Sequence, residues 1–217
     1  MRLKYAITIG DPKSPQIVAH PSGCSGDDRL NRDDIVASLG ITQSRCRAGL
    51  SLIYAKYTKD LHAAELALRD LQKYASSISW KYFSRIPDGN FPIAVSVMAM
   101  LVLEEYCRTA DTQGAKCLCG GRGEIRDIKK SIKSGKPVMK TCSRCKGSGL
   151  KPFSHGRCLH VLTLFVSVSQ SSYSRHWRPF FNELMTWCYR QESAAEGIYK
   201  RITTPFSFSQ EESGHPS

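Results

Sequence analysis

Apolar residues recur at helical spacing over much of the chain. Between residues 61 and 82, apolar side chains follow one another at alternating steps of three and four: Leu61, Ala64, Leu68, Leu71, Ala75, Ile78 and Tyr82. Such a stripe is typical of a helix with one buried face. A second stripe predicts a long final helix over 177–202: Trp177, Phe180, Leu184, Trp187, Gln191, Ala194, Ile198 and Ile202.

Two further helices are predicted on either side of a cysteine-rich segment. Residues 92–107 are apolar on almost every face, which predicts a central buried helix with Pro92 in its first turn. Ser154 can cap a helix that runs to about residue 168. The predicted fold class is therefore mainly α.

The region from residue 33 to residue 57 predicts two short helices that meet at Gly40. Helix, glycine turn and helix of this size suggest a helix-turn-helix at 34–54. Gly49 and the weak periodicity of the second helix instead favour an ordinary helical corner.

A motif of cysteine and glycine occurs twice between the helices at 92–107 and 154–168. Residues 117–123 read CLCGGRG and residues 142–149 read CSRCKGSG, with the glycines at equal offsets from the last cysteine. Two such turns supply the tetrahedral thiolate set that Zn²⁺ prefers, and glycines with positive φ let the chain fold back. We predict a four-cysteine zinc site whose ligands are Cys117, Cys119, Cys142 and Cys145.

The first copy of this motif lacks one residue between its two cysteines. Its turn must be tighter, and Cys107 could replace one of the ligands. The interpretation without a metal is a group of buried or spare cysteines, which leaves the paired glycines unexplained. Between Glu124 and Thr141, the segment predicts a two-stranded ribbon or a short helix plus a strand.

The segment that contains the cysteines is strongly basic. Residues 116–151 have eleven Lys and Arg against two acidic residues, a net charge of +9, whereas the whole chain of 217 residues carries +12. This concentration of charge favours a surface that binds a polyanion, most often nucleic acid. The alternative is a solvated loop that its lysines keep soluble.

Composition divides the chain into three parts. Residues 1–32 contain proline and glycine with little periodicity and predict a flexible N-terminal arm. Residues 33–203 predict a helical domain with the zinc insert at about 112–152, and residues 204–217 predict a flexible tail. The longest apolar run is too short to cross a bilayer, and the N-terminal one is too short for a signal peptide. We expect a cytosolic protein without membrane contacts.

Several short motifs occur together in an order that is typical of one family. They are Met1-Arg2-Leu3, Pro12-Lys13-Ser14-Pro15, Tyr106-Cys107-Arg108, Gly114-Ala115, Cys117, Cys142-Ser143-Arg144-Cys145-Lys146-Gly147, Ser174-Arg175, Pro179, and Cys188 followed by Glu192-Ser193-Ala194. In this order they resemble the late-gene antitermination protein Q family of lambda-type bacteriophages, over nearly the whole chain. The shortened Cys117–Cys119 pair departs from the family pattern.

The resemblance implies a function that charge and spacing alone do not give. Proteins of this family bind a DNA site at the phage late promoter and engage host RNA polymerase paused just downstream, with its sigma factor attached. They then travel with the enzyme, close to the nascent RNA, and make it read through pauses and terminators. The implied location is the cytoplasm of the host bacterium.

The resemblance also implies a helix-turn-helix interrupted by a zinc-binding ribbon insert. The helix that ends near Cys107 would pair with the helix that starts near Ser154. Small polar and basic side chains at the start of such a helix suit contacts to base edges in double-stranded DNA. The predicted DNA-binding residues are Ser154, His155 and Arg157 for bases, with Arg144, Lys146 and Lys151 on the insert for phosphates. His155 and His160 are alternatively spare zinc ligands or surface residues.

Three other functions share features of this sequence. A zinc-containing DNA-binding regulator that never travels with polymerase would have the same insert and charge. A DnaJ-type chaperone uses the same CxxCxGxG motif, but with four repeats and a His-Pro-Asp motif, and this chain has neither. In a metal-dependent nuclease or deaminase the metal needs an open coordination position, which four cysteine ligands do not leave. We therefore expect a protein that is not an enzyme.

Overall fold

Helices dominate the part of the chain that the computed structural model describes, residues 3–10, 32–83 and 89–204. The predicted mainly helical fold is confirmed. A 3₁₀ turn spans Ser79–Lys81, and a π-helical turn spans Tyr173–Trp177. The elements in chain order are α1 (Leu3–Gly10), α2 (Arg32–Arg45), α3 (Arg47–Tyr57), α4 (Leu61–Ile78), α5 (Phe91–Tyr106), β1 (Glu124–Arg126), α6 (Ile128–Ser134), β2 (Met139–Thr141), α7 (His155–Thr163), α8 (Gln170–Ser172) and α9 (Arg178–Thr203).

The main core lies between α4, α5, α7 and α9. As predicted, α5 is the central buried helix, and Ala94, Met98 and Val102 on it have no exposed surface. Helix α7 packs directly on α5, where Cys158 Sγ lies 4.0 Å from Met98 Sδ. The two helices that flank the cysteine-rich segment are thus in contact.

Three helices differ in detail from the predictions. Gly40 does not end α2, which continues to Arg45. The break comes instead at Cys46, whose φ of −147° is not helical. Helix α7 is shorter than predicted, since it ends at Thr163. In α9 the buried line shifts by one residue, from the predicted Trp187 to Cys188, because a stripe with a period of 3.5 drifts around a straight helix of 3.6 residues per turn.

Part of the predicted N-terminal arm is a docked helix. In α1, Leu3, Ala6 and Ile7 are fully buried in a second core with residues of α2, α3 and α9. The backbone N–H of Leu3 also donates to the Glu196 carboxylate, 3.1 Å from each oxygen. The remaining predicted arm from residue 11 to residue 31, the loop 84–88 and the tail from residue 205 onwards lie outside the described residues. Within the described ranges, every helix is too short or too polar to span a bilayer.

Candidate metal centre and nucleic-acid interface

The four cysteines of the repeated motif meet at one point. The sulfurs of Cys117 and Cys142 lie 4.0 Å apart, and those of Cys119 and Cys145 lie 3.9 Å apart. All four ligand atoms are within 4.8 Å of one another, and all four residues are buried. A regular tetrahedron of sulfurs about 2.3 Å from Zn²⁺ has edges of about 3.8 Å. The cluster could therefore hold a metal ion after only small movements.

Cys107 is not one of the four sulfurs that the described part of the chain brings together. It follows the last residue of α5, and its carbonyl accepts a hydrogen bond from Lys59 Nζ at 3.0 Å. Burial raises the pKa of its thiol above the usual value. The shortened first copy therefore brings both of its own cysteines to the cluster.

The turn in the first copy of the motif is one residue tighter than the turn in the second copy. In the second copy the N–H of Lys146 donates to the Cys142 carbonyl at 2.8 Å, which closes a turn between residues i and i+4. In the first copy the N–H of Gly120 donates to the Cys117 carbonyl at 3.0 Å, which closes a turn between i and i+3. Gly120 and Lys146 both have positive φ, +73° and +50°. The two turns therefore end in the same conformation despite their different lengths.

The repeated glycines let the two copies approach each other closely. A Cβ atom on Gly123 would lie 2.3 Å from the carbonyl oxygen of Gly147. Reciprocally, a Cβ atom on Gly149 would lie 2.3 Å from the carbonyl oxygen of Gly121. All four glycines have φ between +74° and +92°. The positive φ predicted from the motif is thus confirmed, and two of the glycines are also required for the packing of one copy on the other.

Backbone amides favour the thiolate forms that a metal binds. N–H groups of Cys145 and Arg144 donate to the Cys142 sulfur and lower its pKa to about 7. Burial opposes ionisation of Cys119, but the N–H groups of Gly123 and Gly121 and the neighbouring thiols outweigh it, so its pKa is also lowered. For Cys119 and Cys142 the turns therefore supply both the geometry and the hydrogen bonds of a thiolate site, whereas the pKa of the Cys117 thiol is raised.

The segment from residue 116 to residue 151, which we call the insert, continues outward as a ribbon. Strands β1 and β2 are antiparallel, with Glu124 opposite Thr141. Helix α6 lies between them in the chain, and Asp127 caps it by accepting a hydrogen bond from the N–H of Lys130 at 3.2 Å. The insert therefore contains both of the predicted alternatives, a two-stranded ribbon and a short helix. Gly135 ends the helix with φ of +66°.

All of the basic side chains of the insert are exposed, and one of them, Lys140, pairs with Asp127 at 3.6 Å. The eleven are Lys116, Arg122, Arg126, Lys129, Lys130, Lys133, Lys136, Lys140, Arg144, Lys146 and Lys151. The predicted phosphate contacts Arg144, Lys146 and Lys151 are thus accessible, with Arg144 and Lys146 on the second cysteine turn.

The predicted base-reading residues lie at the start of α7, but each has a partner within the protein. Ser154 caps the helix by accepting a hydrogen bond from the N–H of Arg157 at 3.3 Å. His155 is half-buried, and its Nδ1 lies 2.9 Å from the Tyr173 hydroxyl. The Arg157 guanidinium is exposed and pairs with Glu104 at 3.2 Å. The sequence offered no signal for this ion pair, because its two residues are far apart in the chain.

A cleft of about 240 Å³ separates the end of α5 from the start of α7. Lys151, Ser154 and Arg157 line it together, so the structure brings half of the predicted DNA-binding residues to one place. Glu105 also lines it, and burial raises the pKa of this carboxyl although Arg108 opposes the shift. The cleft thus combines polar and apolar side chains at the place where the insert joins the helical domain.

Comparison with known proteins supports the family resemblance. Residues 111–196 match the family model of Antitermination protein Q. The chain is 29% identical over 207 residues to Antitermination protein Q of Salmonella phage P22 and, equally, of Escherichia phage lambda, covering 94% of this chain and 100% of each relative. It is 21% identical over 254 residues to Prophage antitermination protein Q homolog QuuQ of Escherichia coli strain K12, with coverage of 94% and 100%. The resemblance seen in the short motifs is confirmed.

Proposed function

Starting from this similarity to antitermination protein Q, we propose that the protein is a phage late-gene transcription antitermination factor. The observation that supports the proposal is the extent of the match, because it covers 94% of this chain and 100% of two relatives. In this function, the protein binds a DNA site at the late promoter and loads onto polymerase that has paused nearby with its sigma factor attached. It then stays with the enzyme and makes it pass pauses and terminators.

We infer that the insert and α7 together form the DNA-binding side, as a helix-turn-helix of α5 and α7 interrupted by a zinc ribbon. Zn²⁺ at Cys117, Cys119, Cys142 and Cys145 would crosslink the two cysteine turns and leave no open position for catalysis. Support comes from the reciprocal packing of the turns and from the contact between α5 and α7.

The residues of this side divide into two groups. Arg144, Lys146 and Lys151 would bind phosphates and give an affinity that falls as salt is raised. Ser154, His155 and Arg157 are candidates for contacts with base edges. Before Arg157 can reach DNA, it must release Glu104, which is feasible because exposed ion pairs contribute about 1 kcal/mol or less.

Single-round transcription through an intrinsic terminator tests the proposal. The template carries the late promoter of the protein's own phage, and a second template lacks the upstream DNA. The double variant Cys142→Ser, Cys145→Ser removes two thiolates from the cluster. Cys46→Ser is the matched control, because Cys46 is half-buried and lies outside the cluster. We expect read-through with wild-type protein and with the control, but not with the double variant or the shortened template.

Specific DNA binding without read-through would contradict the proposal. That result would favour the alternative of a zinc-containing regulator that does not travel with polymerase. Read-through that does not need the upstream DNA would contradict the DNA-loading part alone.

A further inference from the structure

The outer helix of the insert exposes a row of isoleucines. Ile128 and Ile132 in α6 are 68% and 77% exposed, and Met139 on the adjacent strand is 46% exposed. The two isoleucines are four residues apart and therefore lie on the same face of the helix. Large exposed aliphatic side chains that lie together commonly mark interaction sites.

The insert does not use this row for its own packing. Helix α6 is attached to the ribbon through Ser131, which is buried and whose hydroxyl accepts a hydrogen bond from the N–H of Val138 at 2.9 Å. The apolar cluster of the insert consists of the four cysteines with Ile125 packed against them. Ile128 and Ile132 belong to none of the apolar clusters of the described residues.

A row of lysines runs parallel to the isoleucines. Lys129 and Lys133 each follow an isoleucine by one position, so they too lie four residues apart and share a face. Both side chains are exposed, and neither takes part in an ion pair among the described residues. We call these two rows, Ile128 with Ile132 and Lys129 with Lys133, the tip surface.

We propose that the tip surface docks on RNA polymerase, in an apolar groove with an acidic rim. The inference rests on the proposed function, in which polymerase is the partner. A DNA backbone would satisfy the lysines but would leave both isoleucines in water. A protein groove edged by carboxylates matches both rows, since protein interfaces bury an apolar centre within a polar rim.

This assignment divides the insert between two partners. The cysteine turns with Arg144 and Lys146 belong to the proposed DNA-binding side, whereas α6 lies at the other end of the ribbon. A protein that bridges promoter DNA and polymerase can thus contact both through one zinc-crosslinked segment. The docking uses residues that none of the predicted DNA contacts include.

Binding measurements on the full-length protein test the tip surface. The double variant Ile128→Ser, Ile132→Ser is compared with Lys129→Gln, Lys133→Gln and with Leu164→Ser. Leu164 is a matched control, because it is 69% exposed and follows α7 instead of lying on the insert. Each protein is titrated against the RNA polymerase holoenzyme of Escherichia coli without DNA, and separately against the late-promoter fragment without polymerase. Read-through is measured in parallel.

We expect the isoleucine variant to bind polymerase at least about tenfold more weakly, because two apolar contacts are lost. Its affinity for promoter DNA should stay within about twofold of the wild type. The lysine variant should also bind polymerase more weakly, with a difference that shrinks as salt is raised. Leu164→Ser should match the wild type in both titrations.

A photo-reactive side chain at position 132 gives a second readout in the assembled complex. Crosslinks to a polymerase subunit support the docking surface, whereas crosslinks to DNA overturn it and assign the tip to nucleic acid. If the isoleucine variant binds polymerase as the wild type does, while the wild type reads through the terminator, the docking surface is overturned and the proposed function stands. A wild type that neither binds polymerase nor reads through overturns both.

Discussion

The close approach of the two cysteine turns can be tested by adding one methyl group. Gly123→Ala places a Cβ atom 2.3 Å from the Gly147 carbonyl oxygen at a residue whose φ is +77°. Gly135→Ala is the matched control, because Gly135 has a similar φ of +66° but no atom in the described part of the chain within 4 Å of the added Cβ. Comparison of the two variants separates the cost of a positive φ for alanine from the cost of the steric contact between the turns.

The conformational effect is shared by both variants. An L-residue in the left-handed region costs about 1–2 kcal/mol. Only Gly123→Ala must also force the two turns apart by about 1 Å, and overpacking of this kind costs about 1–3 kcal/mol more. Because metal binding is coupled to folding of the site, the packing effect should appear as zinc affinity about 5- to 150-fold below that of Gly135→Ala.

Competition between the protein and a chromogenic chelator measures this difference at fixed pH. Far-UV circular dichroism of the same samples shows whether the helical domain stays folded. Equal zinc affinities for Gly123→Ala and Gly135→Ala would refute the reasoning, because they would mean that the turns do not need the observed contact.

Three further outcomes are expected. Gly49→Ala places a Cβ atom 2.1 Å from the Gln191 carbonyl oxygen and should lower the free energy of unfolding by about 1–3 kcal/mol. Gly40→Ala meets no atom of the described residues within 4 Å and should raise the free energy of unfolding by about 0.5–1 kcal/mol. Urea denaturation of both variants checks the opposite signs. Glu104→Gln releases Arg157 and removes a negative charge, so promoter DNA should bind about 2- to 5-fold more tightly at low salt. Fluorescence anisotropy titrations with promoter DNA measure this affinity. An affinity equal to that of the wild type at every salt concentration would argue against a DNA contact by Arg157. Removal of metal with EDTA should disorder the insert and abolish DNA binding while most of the helical signal remains, because the cysteine cluster is separate from both helical cores of the described residues. Cooperative loss of all helical signal would contradict that separation.

The sequence predicted the helices well where their signal is local. The apolar residues of α5 cover almost every face, so its burial in the core depended little on which neighbour it contacts, although Ile93 and Met100 remain exposed. In α4 the helix was correct, but Leu61 at the head of the predicted stripe is 81% exposed, and Ala63 and Ala67 are buried instead. Which side of a helix is buried depends on the neighbouring helices, and the sequence of the helix itself does not specify those neighbours.

The cysteine cluster was predictable for the same reason. Each copy of the motif encodes its own turn, and two copies with equal glycine offsets are enough to predict that they meet. The partner of Arg157 could not be predicted, because Glu104 is brought to it only by the packing of α7 on α5. The docked helix α1 was also missed, since eight residues give too short a pattern to separate a helix from an extended arm.

Contacts at the base of the insert shorten the loop that connects α5 to α7. Lys116 and Leu150 form an antiparallel bridge, and the N–H of Lys151 donates to the Ala115 carbonyl at 2.8 Å. Once these contacts form, the loop between the helices shortens from residues 107–154 to residues 107–115 and 151–154, roughly a fourfold reduction. The entropic cost of closing the loop then falls by about 1 kcal/mol. A metal at the cysteines would therefore do more than order the insert. It would turn a long-range pairing of α5 with α7 into a nearly local one, and the helical domain should fold faster with the ion bound than without it.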